Sequence, residues 1–100
     1  MASNGLVKID YAAAESDINK INQAISFLND SLGSLRVLNT TASAIQGETG
    51  SAIVEKSNQL TQEINEMIEF LNNSSSLIRT TIERYQEEDR RLALEQMQEG

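Results

Sequence analysis

A stripe of apolar residues at alternating steps of three and four runs through the first half of the chain. It comprises Tyr11, Ala14, Ile18, Ile21, Ile25, Leu28, Leu32 and Leu35. This spacing keeps one narrow apolar stripe on one face of an α-helix, which is the pattern of a coiled-coil seam. The chain contains no proline that would interrupt a long helix. The stripe therefore predicts a first helix over about residues 10–45, with Asp10 as its N-cap.

A second stripe with similar spacing fills the second half of the chain. Its apolar members are Ile53, Leu60, Ile64, Met67, Leu71, Ile78, Ile82 and Tyr85, and it is weakened where Ser57 and Ser74 fall on it. Between the stripes, "NTTASAIQGETGSA" is small and polar, which is typical of a turn. We expect Gly47 to take a left-handed backbone there, and Thr49 or Ser51 to cap the second helix. The predicted turn covers about residues 46–50 and the second helix about residues 51–94.

A connection this short forces the two helices to lie antiparallel. The predicted fold is therefore all-α, an antiparallel two-helix hairpin that forms a single domain over residues 1–100 with flexible ends. Several apolar residues lie off the two stripes, namely Phe27, Val37, Leu38, Val54, Ile68, Phe70 and Leu77. Because Phe70 and Leu77 are one heptad apart, we expect their flank to pack against a second hairpin in a dimeric four-helix bundle. Ordinary scattered surface residues are the alternative interpretation.

The composition argues against several classes of function. The chain has no cysteine and no histidine, so it can form no disulfide and no thiolate or imidazole metal site. Its net charge of -7 disfavours binding to nucleic acid or to anionic lipid. No segment has the pattern of a cleaved signal peptide or the length of a membrane span. We expect a protein made in the cytoplasm that is not an enzyme, uses no cofactor and does not insert into membranes.

Three further features have mainly structural interpretations. Glu63, Glu66 and Glu69 recur at three-residue steps, but carboxylate bundles that bind iron also use histidine, so we interpret this row as a solvated helix face. Gly33 lies inside the first helix. It either permits the second helix to cross closely there or simply lowers the stability of the helix by about 1 kcal/mol relative to alanine. Asn39 falls at a seam position near the turn, and we interpret it as a fraying or register device rather than a ligand site.

Tyr85 and Asp89 continue the second stripe as an aromatic residue followed by an acid. They are four residues apart and therefore share one helix face. If the turn is centred just after Gly47, residue n lies opposite about residue 95 minus n, which places Tyr85 level with Asp10 and Asp89 beyond the first helix. From the spacing alone, we favour the interpretation that the ring ends the core and the acid is an ordinary charge at a helix end. The other interpretation is that the pair is a recognition element.

The chain resembles a family of secreted proteins in its length of 100 residues, its hairpin pattern, "IQG" at residues 45–47 and "YQEED" at residues 85–89. That family is the Trp-x-Gly family of small ESAT-like proteins exported by type VII secretion systems. The resemblance implies that Gly47 is the turn glycine, with Ile45 in the place of the tryptophan. It also implies that Tyr85 and Asp89 match the family's Tyr-x-x-x-Asp/Glu export signal, which the membrane-bound secretion ATPase reads.

Without the turn tryptophan, the chain is similar to divergent relatives that accompany LXG-type toxins. The resemblance implies a non-catalytic secretion substrate or targeting partner, exported without a cleaved signal peptide. Its expected partners are itself, a related helical protein or the helical N-terminal region of an LXG-type toxin, together with the secretion ATPase. Homodimer and heterodimer both remain open. The alternatives are a needle-type subunit or helical chaperone of another secretion system, and a generic coiled-coil adaptor.

Overall fold

Two long helices joined by a short turn make up the part of the chain that a computed structural model describes, residues 9–99. Helix α1 spans Tyr11–Ser43 and helix α2 spans Glu48–Glu99, and this part of the chain contains no strand. The helices pack against each other along their lengths, which confirms the predicted all-α hairpin. The ends that we expected to be flexible include residues 1–8 and 100, which lie outside the described residues.

Both ends of α1 are closed by local hydrogen bonds. Asp10 has an extended backbone, and its carboxylate accepts a hydrogen bond of 2.9 Å from the Ala13 N–H, so it is the predicted N-cap. At the other end the Ala44 N–H donates to the Thr41 carbonyl at 3.1 Å, and the Ile45 N–H donates to the Ala42 carbonyl at 3.0 Å. These bonds across three residues tighten the last turn, so α1 ends at Ser43 rather than near residue 45.

Helix α2 begins earlier and ends later than the sequence suggests. It starts at Glu48 instead of near residue 51 and continues to Glu99 instead of fading after residue 94. Thr49 and Ser51 therefore lie inside its first turn, and our prediction that one of them caps the helix is wrong. The Ser51 N–H instead donates to the Gly47 carbonyl at 3.3 Å, which puts Gly47 in the N-cap position.

Two glycines of the turn have different steric roles. Gly47 has a φ of 95°, which confirms the predicted left-handed backbone. Gly50 is buried, and a β-carbon there would collide with the Ile45 carbonyl oxygen and lie 2.9 Å from the Ala42 carbonyl oxygen. Helix α2 therefore starts in direct backbone contact with the end of α1. At Gly33, by contrast, nothing lies within 4 Å of an added β-carbon, so this glycine permits no close crossing.

The core of the hairpin is the seam between the two helices. Every member of the α1 stripe is buried or half-buried, with Ile18 only 2% exposed. On α2 the seam is shifted locally: Met67 is 51% exposed, while Ile68 and Val54, which we placed off the stripe, are half-buried. Met67 and Ile68 are adjacent apolar residues, and either one fits the periodicity. Packing against α1 partly buries Ile68 and leaves Met67 exposed. The seam prediction is thus confirmed for α1 and wrong at Met67, Ile68 and Val54.

A polar contact fixes the register of the seam near the turn. The Asn39 amide nitrogen donates to the Ser57 hydroxyl at 2.8 Å and to the Asn58 side-chain oxygen at 2.9 Å. Ser57 is only 1% exposed, and its hydroxyl in turn donates to the Val54 carbonyl at 3.0 Å. Sliding one helix along the other would separate the half-buried Asn39 amide from both of these partners, which is costly. The geometry therefore matches our interpretation of Asn39 as a register device.

The hairpin is a thin rod of 80 × 23 × 15 Å. Because α1 has 33 residues and α2 has 52, the longer helix runs past the start of the shorter one. Since Asn39 lies opposite Ser57, Tyr11 lies level with about residue 85, and the rest of α2 extends beyond it by about 20 Å, at 1.5 Å per residue. Neither of the two described helices has an apolar stretch long enough to cross a membrane.

Candidate binding surfaces

At the open end of the hairpin, opposite the turn, one hydrogen bond links the two helices. The Tyr11 hydroxyl donates to Asp89 Oδ2 at 2.8 Å, joining residues 78 positions apart in the chain. Tyr11 and Tyr85 are half-buried, and Asp89 is exposed. The structure thus brings the two residues of the predicted recognition element together with Tyr11, which the sequence analysis had treated only as a seam residue.

Our expectation that Asp89 lies beyond the first helix did not include a contact with that helix. The carboxylate is instead held by the first residue of α1. A tyrosine side chain is longer than one helical turn of about 5.4 Å, so its hydroxyl reaches a group well past the level of its own backbone. Counting backbone positions from the turn misses this reach, so the sequence analysis did not anticipate the contact.

The hydrogen bond also changes the acidity of the phenol. The pKa of Tyr11 is raised above its ordinary value of 10.0, mainly because its hydroxyl donates to Asp89. Partial desolvation and the negative charges of Asp89 and of ionised Tyr85 raise this pKa further. The neutral phenol is therefore the form that the open end of the hairpin stabilises.

The charges next to Asp89 are paired along α2. Arg90 contacts Glu87 at 2.8 Å, and Arg91 contacts both Glu88 and Glu95, the latter at 2.7 Å. The hydrogen bond and charge of Arg91 lower the pKa of Glu88, and Glu88 in turn raises the pKa of Arg91. These exposed pairs span three or four residues, a spacing that supports the helix locally where α2 extends past α1.

One broad side of the hairpin carries large exposed apolar residues. Phe27 is 70% exposed, Phe70 69% and Leu77 68%. Each of them directly precedes a seam residue, so the three lie on the same rotational side of their helices. Because the helices are antiparallel and their seams face each other, this side of α1 and of α2 forms a single surface. We name it the apolar face; it comprises Phe27, Leu38, Met67, Phe70 and Leu77.

The opposite broad side is polar. In the middle of the hairpin, the exposed residues that directly follow a seam position include Asn22, Asn29, Arg36, Asn58, Asn65, Asn72 and Arg79. By the same geometry, they gather on one surface, which we name the amide face. The sequence analysis missed this contrast, which is visible in the sequence when Phe27, Phe70 and Leu77 are compared with the residues two positions later.

Two shallow grooves mark the hairpin surface. One, of about 550 Å³, lies on α2 at Met67, Phe70 and Leu71, with Glu63 and Glu66 at its side. The other, of about 420 Å³, lies at the turn beside Ile45, whose side chain is 45% exposed. Among the described residues, no three carboxylates lie close enough together to hold a metal ion. The first groove lies within the α2 part of the apolar face.

Comparison of the chain with known protein families, with curated proteins and with solved structures finds no match in any of the three.

Proposed function

We propose that this protein is a non-catalytic type VII secretion substrate or targeting partner. It binds another helical protein through the apolar face and carries an export signal at Tyr85 and Asp89. The observation that carries the binding part is the contrast between the apolar face and the amide face. The export part rests on the resemblance of the hairpin, its turn at Gly47 and the spacing of Tyr85 and Asp89 to the secreted family.

The apolar face has the size and arrangement to dock a pair of helices. Phe27, Phe70 and Leu77 are each about two-thirds exposed or more, and burying such side chains contributes about 1.5–3 kcal/mol each. A second helical hairpin laid on this face completes a four-helix bundle. The partner is a second copy of this chain, a related helical protein or the helical N-terminal region of an LXG-type toxin.

The amide face argues against the alternative of a needle-type subunit. A filament needs two different, complementary surfaces on every subunit. The side opposite the apolar face offers exposed asparagines and arginines, which are better kept in water. One docking face per molecule favours a closed pair, and light scattering on the purified protein distinguishes a closed pair from a polymer.

The docking surface is tested with two double variants that introduce the same charge. Phe70→Asp with Leu77→Asp places two carboxylates in the apolar face and should abolish self-association or co-purification of a partner. Asn65→Asp with Asn72→Asp introduces the same two charges with the same heptad spacing on the amide face, and should leave association unchanged. Size-exclusion chromatography with light scattering measures the outcome. A parent protein that is monomeric and co-purifies with no helical partner would contradict the proposal.

The export signal is tested by secretion from the native cell. Tyr85→Ala and Asp89→Ala should each abolish the appearance of the protein in the medium, because each removes one group that the receptor reads. Glu83→Ala removes an exposed acid from the same helix and should be exported normally. Normal secretion of both motif variants would exclude this role for the open end.

A further inference from the structure

We propose that Tyr11 is a positioning residue of the recognition element, so that the element is assembled from both helices rather than carried by α2 alone. Its hydroxyl fixes the Asp89 carboxylate, at 2.8 Å, and its ring lies near Tyr85 on the same seam. The inference rests on the proposed function of Tyr85 and Asp89. It adds a residue that the Tyr-x-x-x-Asp spacing does not contain.

The first turn of α1 fixes the position of the Tyr11 side chain. Tyr11 is the first residue of the helix, and the preceding Asp10 caps that turn through its bond to the Ala13 N–H. The ring is half-buried against the end of the seam, which restricts its rotamers. The hydroxyl therefore sits at the end of a side chain fixed at both its backbone and its ring.

Asp89 gains order from this contact. It is exposed on α2, and an exposed acidic side chain without a partner samples several rotamers. A hydrogen bond to a carboxylate is charge-assisted and stronger than a neutral one, so the Tyr11 hydroxyl holds the acid in one orientation. A receptor that binds the ring of Tyr85 and the carboxylate of Asp89 then finds the carboxylate already oriented. Binding therefore costs less side-chain entropy.

This arrangement explains how so short a pattern can be selective. Tyrosine and aspartate four residues apart occur by chance on many helices, but few such helices have a second tyrosine aimed at the acid from an antiparallel neighbour. An unfolded chain, or α2 separated from α1, keeps the spacing and loses the orientation. The recognition element is therefore a property of the closed hairpin.

The contact can be measured directly, because the chain has two tyrosines and no tryptophan. In Tyr85→Phe only Tyr11 contributes to the absorbance of ionised tyrosine, so an alkaline titration of the purified chain reports the pKa of Tyr11 alone. We expect this pKa to lie above the ordinary value and to fall towards it when Asp89→Asn is added. If Asp89→Asn leaves the titration of Tyr11 unchanged, the contact does not exist in solution and the inference is wrong.

The functional consequence is measured by secretion of Tyr11→Phe from the native cell. This variant keeps the ring and removes only the hydroxyl, and its secretion should fall about tenfold, the lower end of the range expected for losing a hydrogen bond to a charged group. Ser16→Ala removes an exposed hydroxyl from the same helix and should be secreted normally. Circular dichroism should show the parent helix content in both variants.

The outcomes separate this inference from the proposed function. If Tyr11→Phe is secreted normally while Tyr85→Ala and Asp89→Ala are not, Tyr11 has no positioning role and the proposed function stands. If all three variants are secreted normally, the open end is not an export signal and both conclusions fall. Loss of secretion in all three, with the Tyr11 titration dependent on Asp89, supports both.

Discussion

The two ends of the hairpin are held together in different ways. At the turn, backbone meets backbone: Gly50 lies against the carbonyl oxygens of Ile45 and Ala42, with no room for a β-carbon. At the open end the helices are joined by the exposed hydrogen bond from Tyr11 to Asp89. Gly50 therefore tolerates no larger side chain, whereas the open end consists of long side chains whose replacement leaves the backbone in place.

On the proposed function, this difference separates stability from recognition along the rod. The close backbone contact at Gly50 and the contact between Asn39 and the buried Ser57 lie near the turn. The proposed recognition element, Tyr85 with the exposed Asp89, lies at the open end. Substitutions at the turn should accordingly change the free energy of unfolding, and substitutions at the open end should change binding more than folding.

The largest effect is expected from Gly50→Ala. The new methyl group overlaps backbone atoms of Ile45 that cannot rotate away, and overpacking of this kind costs about 1–3 kcal/mol. The better helix propensity of alanine offsets this by up to about 1 kcal/mol. Because the overlap is with backbone rather than with a side chain, the cost lies at the upper end of that range. We expect a net loss of about 2 kcal/mol in the free energy of unfolding, measured by urea denaturation.

Gly33→Ala is the matched control for Gly50→Ala. The chemical change is identical, but nothing lies within 4 Å of the new methyl group at position 33. Only the propensity term remains, so we expect a gain of about 1 kcal/mol. Two variants that change stability in the same direction would show that the two glycines do not differ in the way the structure indicates.

The next largest effect is expected from Gly47→Val. A β-branched residue is strained at a φ of 95°, and we expect a loss of at least about 1 kcal/mol in the free energy of unfolding. Gly47→Asn should lose less, since asparagine adopts the left-handed region more readily than other residues with side chains. Equal losses for valine and asparagine would mean that the backbone conformation is not what limits this position.

At the open end, Asp89→Ala should change stability little. It removes one exposed hydrogen bond and leaves the seam intact, so the thermal melt should stay within about 1 kcal/mol of the parent. Tyr85→Ala truncates a half-buried ring and marks the boundary between core and recognition element. A large loss of helicity in either variant would show that the open end belongs to the folding core. The two ends would then not differ in their contribution to stability.

The smallest effect is expected from alkaline pH. The pKa of Tyr11 is higher in the folded chain than its ordinary value, so folding holds the phenol proton more tightly. The resulting stabilisation is fully present below the ordinary pKa of 10.0 and is lost as the pH rises through the folded value. Stability of the parent should fall more steeply than that of Tyr11→Phe over about pH 9–11. Parallel curves would show that Tyr11 contributes nothing to closing the open end.

The sequence was sufficient to predict the hairpin, the α1 seam, the Asp10 cap and the backbone of Gly47, because periodicity and residue type depend on local rules. It could not choose between Met67 and Ile68, since both are apolar and the partner helix decides which one is buried. It could not distinguish Gly50 from Gly33 either. Each is a glycine in a helix, and only the position of a carbonyl from the other helix makes the first one necessary.

The sequence identified two of the three residues at the open end. Tyr85 and Asp89 share a helix face, which spacing shows directly. Tyr11 comes from the other helix, and its contact depends on the stagger between the helices and on the reach of a side chain. Neither quantity follows from a periodic pattern, and a small error in the estimated centre of the turn shifts the expected partner by several residues.

The antiparallel pairing also implies an order of folding. The contact between Asn39 and Ser57 closes a loop of 18 residues, whereas the contact between Tyr11 and Asp89 joins positions 78 residues apart. Closing a short loop costs less entropy, so we expect pairing to begin beside the turn and to proceed residue by residue along the seam. The bond at the open end is then the last to form. Its presence signals that the whole hairpin has closed, and a molecule trapped partway lacks it.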